Sequence, residues 1–146
     1  MGKAERVYIA GHTGLIGRSV YDEFLKNGYD VYAEDSSRLD LRIFQDVRDY
    51  IAHTRPEGIV FCAARVGGIG ENVANPLEMI TENIAMQYSI LKTALESRID
   101  KLIFISSAAI YPATNVKNNE SDVLTGAPSP EHIQYALAKI SGMEFV

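Results

Sequence analysis

The chain has 146 residues, 47% of them hydrophobic and 23% charged, with a formal net charge of −5 and a single cysteine. These figures describe one globular domain; they exclude a general nucleic-acid surface, which needs clustered positive charge, and an internal disulfide. No apolar run reaches the roughly 20 residues of a membrane span, Met1-Gly2-Lys3-Ala4-Glu5 leads directly into the first apolar segment with no signal peptide expected, and the lone Cys62 fits a reducing, cytoplasmic compartment.

Val7-Tyr8-Ile9-Ala10 reads as a buried strand, followed by the turn Gly11-His12-Thr13-Gly14-Leu15-Ile16-Gly17. Leu15, Ile16, Val20, Phe24 and Leu25 then recur at helical spacing, so the segment 15–27 is expected to be a helix stopped by Gly28. A strand, a glycine-rich turn and a helix form the context of a dinucleotide fingerprint. Gly11 lets the chain turn off the strand, Gly14 lets a pyrophosphate approach the backbone, and Gly17 is expected to let the helix pack close to the sheet. The free N–H groups of the helix start offer the phosphates hydrogen bonds and partial positive charge.

Asp30-Val31-Tyr32-Ala33-Glu34 reads as a second strand ending in the acidic pair Glu34-Asp35. An acid at this place accepts hydrogen bonds from the adenosine ribose; the other reading is two solvated loop carboxylates. Leu39-Asp40-Leu41 is expected to be a short third strand, with Asp40 facing the adenine amino group or capping the next helix. Ile43, Phe44, Val47, Tyr50 and Ile51 mark an amphipathic helix ending near Thr54.

The unbroken run Gly58-Ile59-Val60-Phe61-Cys62-Ala63-Ala64 suits a strand covered on both faces, and Ala63 and Ala64 leave room for a cofactor at its carboxyl end. Arg65-Val66-Gly67-Gly68-Ile69-Gly70 reads as a glycine-rich loop. A long helix starts at Asn75-Pro76, and its stripe of Met79, Ile80, Ile84, Tyr88, Leu91 and Leu95 is core or dimer surface. Lys101-Leu102-Ile103-Phe104-Ile105-Ser106-Ser107 reads as the next buried strand; Ser107 is a hydrogen-bond donor for a carbonyl substrate or a cap serine. The segment 111–130 has no periodicity and is long for a connection, which suits a functional lid.

Tyr135 and Lys139 are one helical turn apart and share a face. A nearby ammonium favours a phenolate and is expected to lower the pKa of Tyr135, making it a proton donor or acceptor at a ketone or alcohol being reduced or oxidised. His12, His53 and His132 have no ligand-like spacing, and no metal site is expected.

In this order the motifs resemble the extended short-chain dehydrogenase/reductase (NAD-dependent epimerase/dehydratase) superfamily, and within it the GDP-L-fucose synthase branch. The resemblance spans nearly the whole chain and rests on Ile9-Ala10-Gly11-His12 with Gly14 and Gly17, Ala63-Ala64-Arg65-Val66-Gly67-Gly68-Ile69, Ser107 with Ile110-Tyr111-Pro112, and Tyr135-Ala136-Leu137-Ala138-Lys139. It implies an α/β fold: a Rossmann-type doubly wound parallel sheet with its first five strands in order 3-2-1-4-5. On it, 1–146 is the dinucleotide-binding domain, and the substrate-binding part lies outside this chain.

The resemblance implies a catalytic triad of Ser107, Tyr135 and Lys139. It implies cofactor contacts along the loop Gly11, His12, Thr13, Gly14, Leu15, Ile16 and Gly17, and at Glu34, Asp35, Ser36, Asp40 and Leu41. Ala63, Ala64, Val66, Ile105 and Ser106 complete that set together with Tyr135 and Lys139. The implied activity is NAD(P)-dependent hydride transfer at a keto or hydroxyl carbon of a nucleotide sugar, a GDP-sugar first, by a homodimer that meets neither nucleic acid nor membrane. The branch's two arginines for the 2′-phosphate of NADP fall at Thr13 and Ser36, so NAD(H) is expected to be favoured over NADP(H). Its catalytic cysteine falls at Ala109 and its catalytic histidine beyond Val146, so no epimerase activity is expected. The competing expectation is a non-catalytic dinucleotide-binding or dimerisation domain.

Overall fold

A computed structural model describes residues 5–113 and 117–146. The expectations for residues 1–4, and for residues 114–116 of the long segment after Tyr111, lie outside the described residues. The elements run β1 (Arg6–Ala10), α1 (Leu15–Lys26), β2 (Asp30–Tyr32), α2 (Phe44–Thr54), β3 (Gly58–Phe61), α3 (Ile69–Ala74), α4 (Pro76–Glu96), β4 (Lys101–Phe104) and α5 (Ile133–Met143), with single 3₁₀ turns at Ala108–Ile110, Glu120–Asp122 and Pro130–His132. They form two compact units: residues 1–64 with 85–105, and residues 65–84 with 106–145.

The first unit holds a four-stranded, wholly parallel sheet in the order β2-β1-β3-β4. Side chains alternate across β1 as strand geometry demands. Tyr8 and Ala10 join Val47 and Ile51 of α2, Ile59 and Phe61 of β3, and Ile90 and Ala94 of α4 on one face. Val7 and Ile9 join Val60 on the other, under Val20, Tyr21 and Phe24 of α1. Each fully buried Val, Ile or Phe among them contributes about 1.5–3 kcal/mol. With helices on both faces, this is a Rossmann-like α/β fold.

The order agrees with the expected 3-2-1-4-5 except for the third strand. Leu39, Asp40 and Leu41 form no strand; they enter a turn in which the Ile43 N–H donates to the Asp40 carbonyl at 3.0 Å. Leu39 is buried and Leu41 packs on the same cluster, so the leucines serve as core from a turn rather than from a sheet edge. Two strands also end early. β3 stops at Phe61, before Cys62, Ala63 and Ala64, and β4 stops at Phe104, before Ser106 and Ser107. β4 is not covered on both faces: it alternates, with Ile103 54% exposed.

The apolar spacing marks only part of the buried face of two helices. Leu15 is 91% exposed and Ile16 and Leu25 are exposed, so α1 packs through Gly17, Val20, Tyr21 and Phe24. On α4 the buried face runs through Met79, Asn83, Gln87, Ile90 and Ala94, while Ile84, Tyr88 and Leu95 of the expected stripe face solvent. The glycine-rich stretch after Gly68 is a short helix, α3, rather than loop.

The second unit packs α5 against the turn Ala108–Ile110 and α3 against the turn Pro130–His132. Its long segment folds back on itself, the Ala113 N–H donating to the Ala127 carbonyl at 3.0 Å.

Candidate functional site

In the first unit, the strand-to-helix turn is shaped by two glycines. Gly11 has φ +84°, and a Cβ there would lie 2.6 Å from the Ala63 backbone. A Cβ on Gly17 would overlap the carbonyl of Gly11 and crowd His12 Cα. Gly17 is therefore required by the turn's own backbone, not by packing on the sheet. The turn closes with the Gly14 N–H donating to the Gly11 carbonyl at 3.1 Å.

α1 starts at N-cap Gly14 with no side-chain cap and no acid in its first turn. Its leading N–H groups thus face neither a capping oxygen nor a repelling carboxylate, which suits a pyrophosphate. Thr13, Leu15 and Ile16 are exposed beside it. His12 lies with its ring 5.5 Å from that of Tyr21, and its buried Nδ1 has no hydrogen-bond partner among the described residues. These residues fit a dinucleotide held at the start of α1.

At the end of β2 the acids divide the work. Asp35 closes a local turn: its Oδ1 accepts from the Ser37 N–H at 2.8 Å and the Ser37 hydroxyl at 2.5 Å, and these bonds hold its carboxyl below its ordinary range. Glu34 has a looser partner, Arg38, at 3.7 Å. Ser36 is exposed. Asp40 neither caps α2, whose N-cap is Ile43, nor stands open; Arg42 grips its carboxylate at 2.7–3.2 Å and lowers its pKa. Among the acids expected at the adenosine, Glu34 is thus the one least committed within the fold.

In the second unit, α5 presents Tyr135 and Lys139 together as their spacing required. Lys139 is 2% exposed, and its ammonium lies 5.9 Å from the centre of the Tyr135 ring. The Ser107 side chain is hydrogen-bonded to the Tyr135 phenol, and its oxygen accepts from the Ala109 N–H at 3.2 Å. Sequence reasoning expected Lys139 to lower the phenol's pKa. Its pKa is instead raised, because burial disfavours the phenolate more than the Ser107 bond favours it.

Ser107 opens onto a pocket of about 500 Å³ lined by Ser106, Ala108, Ile110, Tyr111, Glu120, Val123 and Met143. Ser106 donates to the Met143 sulfur at 2.9 Å. Ile105 is tied into the sheet edge of the first unit, its N–H donating to the Phe61 carbonyl at 3.1 Å. Val66 is 66% exposed.

Two features escaped the sequence reading. Arg65 donates to Glu82 at 2.7 Å and Glu71 at 2.9 Å, while Asn83 accepts from its N–H and donates to its carbonyl, latching the glycine-rich loop to α4. The signal available was an Arg before Val-Gly-Gly with acids on the next two helices. The other is Glu120, discernible only as one acid in Asn-Glu-Ser-Asp.

A model of the NAD dependent epimerase/dehydratase family matches residues 7–146. The chain belongs to that family. A GDP-L-fucose synthase from Azorhizobium caulinodans is 34% identical to it over 145 residues, which are 99% of this chain and 46% of the relative. Among solved structures, a GDP-D-glycero-L-gluco-heptose synthase from Campylobacter jejuni, determined in the presence of NADPH, is 28% identical with a TM-score of 0.91, covering 99% of this chain and 43% of its own. A GDP-mannoheptose C4 reductase from the same organism, with NADP bound, is 28% identical with a TM-score of 0.89, covering 97% and 46%. This epimerase/dehydratase chain thus spans under half the length of these relatives. Among its described residues, no helix is long and apolar enough to cross a membrane.

Proposed function

We propose that residues 1–146 supply the dinucleotide-binding part of an enzyme that reduces a keto carbon of a GDP-sugar with NAD(H). The observation that carries this reading is the hydrogen-bonded pair Ser107–Tyr135, backed by Lys139, with Ser107 lining a pocket.

In this mechanism the Ser107 hydroxyl donates to the substrate's carbonyl oxygen. Tyr135 delivers its phenolic proton as that oxygen becomes an alkoxide. The buried Lys139 charge stabilises the phenolate left behind. The nicotinamide, when bound, supplies the hydride. The turn from Gly11 into the first residues of α1 would hold its pyrophosphate, and Glu34 would accept hydrogen bonds from the ribose hydroxyls.

NAD(H) is favoured because a 2′-phosphate needs positive charge where it lands. Thr13 and Ser36 carry none, and Arg38 is already beside Glu34. Ala109 cannot carry a proton to or from carbon, so the enzyme does not epimerise. Exposed Ile84, Tyr88 and Leu95 on α4 and Leu137 on α5 favour a homodimer through these helices; a monomer at high concentration in light scattering contradicts it.

The reading is tested with the full-length enzyme and GDP-4-keto-6-deoxymannose. Oxidation of NADH is expected, with no deuterium entering the carbons beside the ketone when cofactor is left out of deuterated water. Cofactor binding with no turnover on any nucleotide sugar contradicts it and favours a binding or dimerisation domain.

A further inference from the structure

We infer that Glu120 is a specificity-determining residue that accepts a hydrogen bond from a hydroxyl of the sugar in the Ser107 pocket. The inference rests on the reductase reading above and names what that site selects. Half of the pocket's lining is apolar: Ala108, Ile110, Val123 and Met143. Its hydroxyl groups, on Ser106, Ser107 and Tyr111, carry no charge, so Glu120 is the one carboxylate among the lining residues.

Local structure places Glu120 there and leaves it free. The turn Glu120–Asp122 is closed by Asp122, whose carboxylate accepts from the Asn119 N–H at 2.6 Å. Asp122 also holds the chain beyond, its carbonyl accepting from the Thr125 hydroxyl at 2.7 Å. The acid two residues before it does none of this. Among the described residues, the Glu120 carboxylate has no hydrogen-bond or ion-pair partner. The bond between Ala113 and Ala127 pins the two arms of the segment, holding the turn in the pocket wall rather than leaving it as a free loop.

A carboxylate only accepts hydrogen bonds. It cannot polarise a ketone, and its charge opposes an alkoxide forming beside it. A sugar hydroxyl is the group it suits, and a charged acceptor makes that bond worth about 10- to 100-fold in binding.

The test is Glu120→Gln in the full-length enzyme, with GDP-4-keto-6-deoxymannose and NADH. KM for the sugar is expected to rise about 10- to 100-fold, with kcat within about 3-fold and the NADH dissociation constant unchanged. An unchanged KM overturns the assignment alone. So does a collapse of kcat with KM unchanged, which would place Glu120 in the chemical step rather than in sugar binding. No turnover by the unsubstituted enzyme removes the reductase reading and this assignment with it. Glu120→Asp, which keeps the charge, is expected to recover part of the affinity; a variant that merely unfolds the turn would not be rescued in this way.

Discussion

Lys139 holds its ammonium 5.9 Å from the centre of the Tyr135 ring while only 2% exposed. A buried cation at that distance acts through a low dielectric and stabilises a phenolate far more than a surface lysine does. Lys139→Met is expected to lower turnover by roughly 10²-fold and to move the alkaline limb of the pH–rate profile to higher pH. A full pH–rate profile measures both. An unshifted limb with normal turnover would mean that the ammonium does not act on Tyr135.

The Gly17 position makes a prediction about stability. An added methyl there meets the Gly11 carbonyl, which is backbone and cannot swing away. Gly17→Ala is expected to destabilise the protein by about 1–3 kcal/mol or more in urea denaturation. Gly70, inside α3, has open space around it. Gly70→Ala is expected to stabilise by about 0.5–1 kcal/mol. Equal effects of the two would contradict the assigned role of Gly17.

Much of this arrangement was legible because the informative residues have few physical substitutes. The turn from Gly11 to Gly17 and the one-turn pair Tyr135/Lys139 depend on glycine geometry and helical spacing, which a sequence displays directly. The α4 face was not legible, because its buried side carries Asn83, Gln87, Ser89 and Thr93, which hydropathy assigns to solvent. The Leu39-Asp40-Leu41 strand failed because apolar alternation over so short a span cannot exclude a turn, and the Asp40–Arg42 grip makes one. The role of Glu120 depends on how 111–130 folds back, which no periodicity encodes.

Three tyrosines tie stability to alkaline pH. Burial, with the charges of Glu34 and Tyr32, pushes Tyr50 up to about 12, and burial also raises Tyr8 and Tyr135 above their ordinary 10.0. Unfolded phenols therefore lose their protons first. The stabilisation is intact below about pH 10 and is lost as pH rises through the folded values. The urea midpoint is expected to fall between about pH 9 and about pH 11. Tyr8→Phe should blunt that fall without loss of stability at neutral pH, since the buried Tyr8 hydroxyl has no partner among the described residues. A midpoint that holds or rises would contradict this.

The proposed preference for NAD(H) rests partly on Arg38. Its Nη1 lies 3.7 Å from Glu34 and its side chain is 74% exposed. NAD(H) is expected to bind about 10-fold or more tightly than NADP(H), and Glu34→Ala should narrow that gap by freeing Arg38 for a phosphate. Isothermal titration with both cofactors measures it. Tighter NADP(H) binding by the unsubstituted protein would show that an arginine reaches the 2′-phosphate despite Glu34.

Tyr135 as the proton donor is tested by NADH oxidation by the full-length enzyme on GDP-4-keto-6-deoxymannose, compared with that of Tyr135→Phe. Turnover by the unsubstituted enzyme is expected, with a loss of roughly 10²-fold or more in the variant and NADH bound equally well by both. Equal turnover by the two would contradict it, because the reaction would then proceed without the proton that Tyr135 is held to deliver.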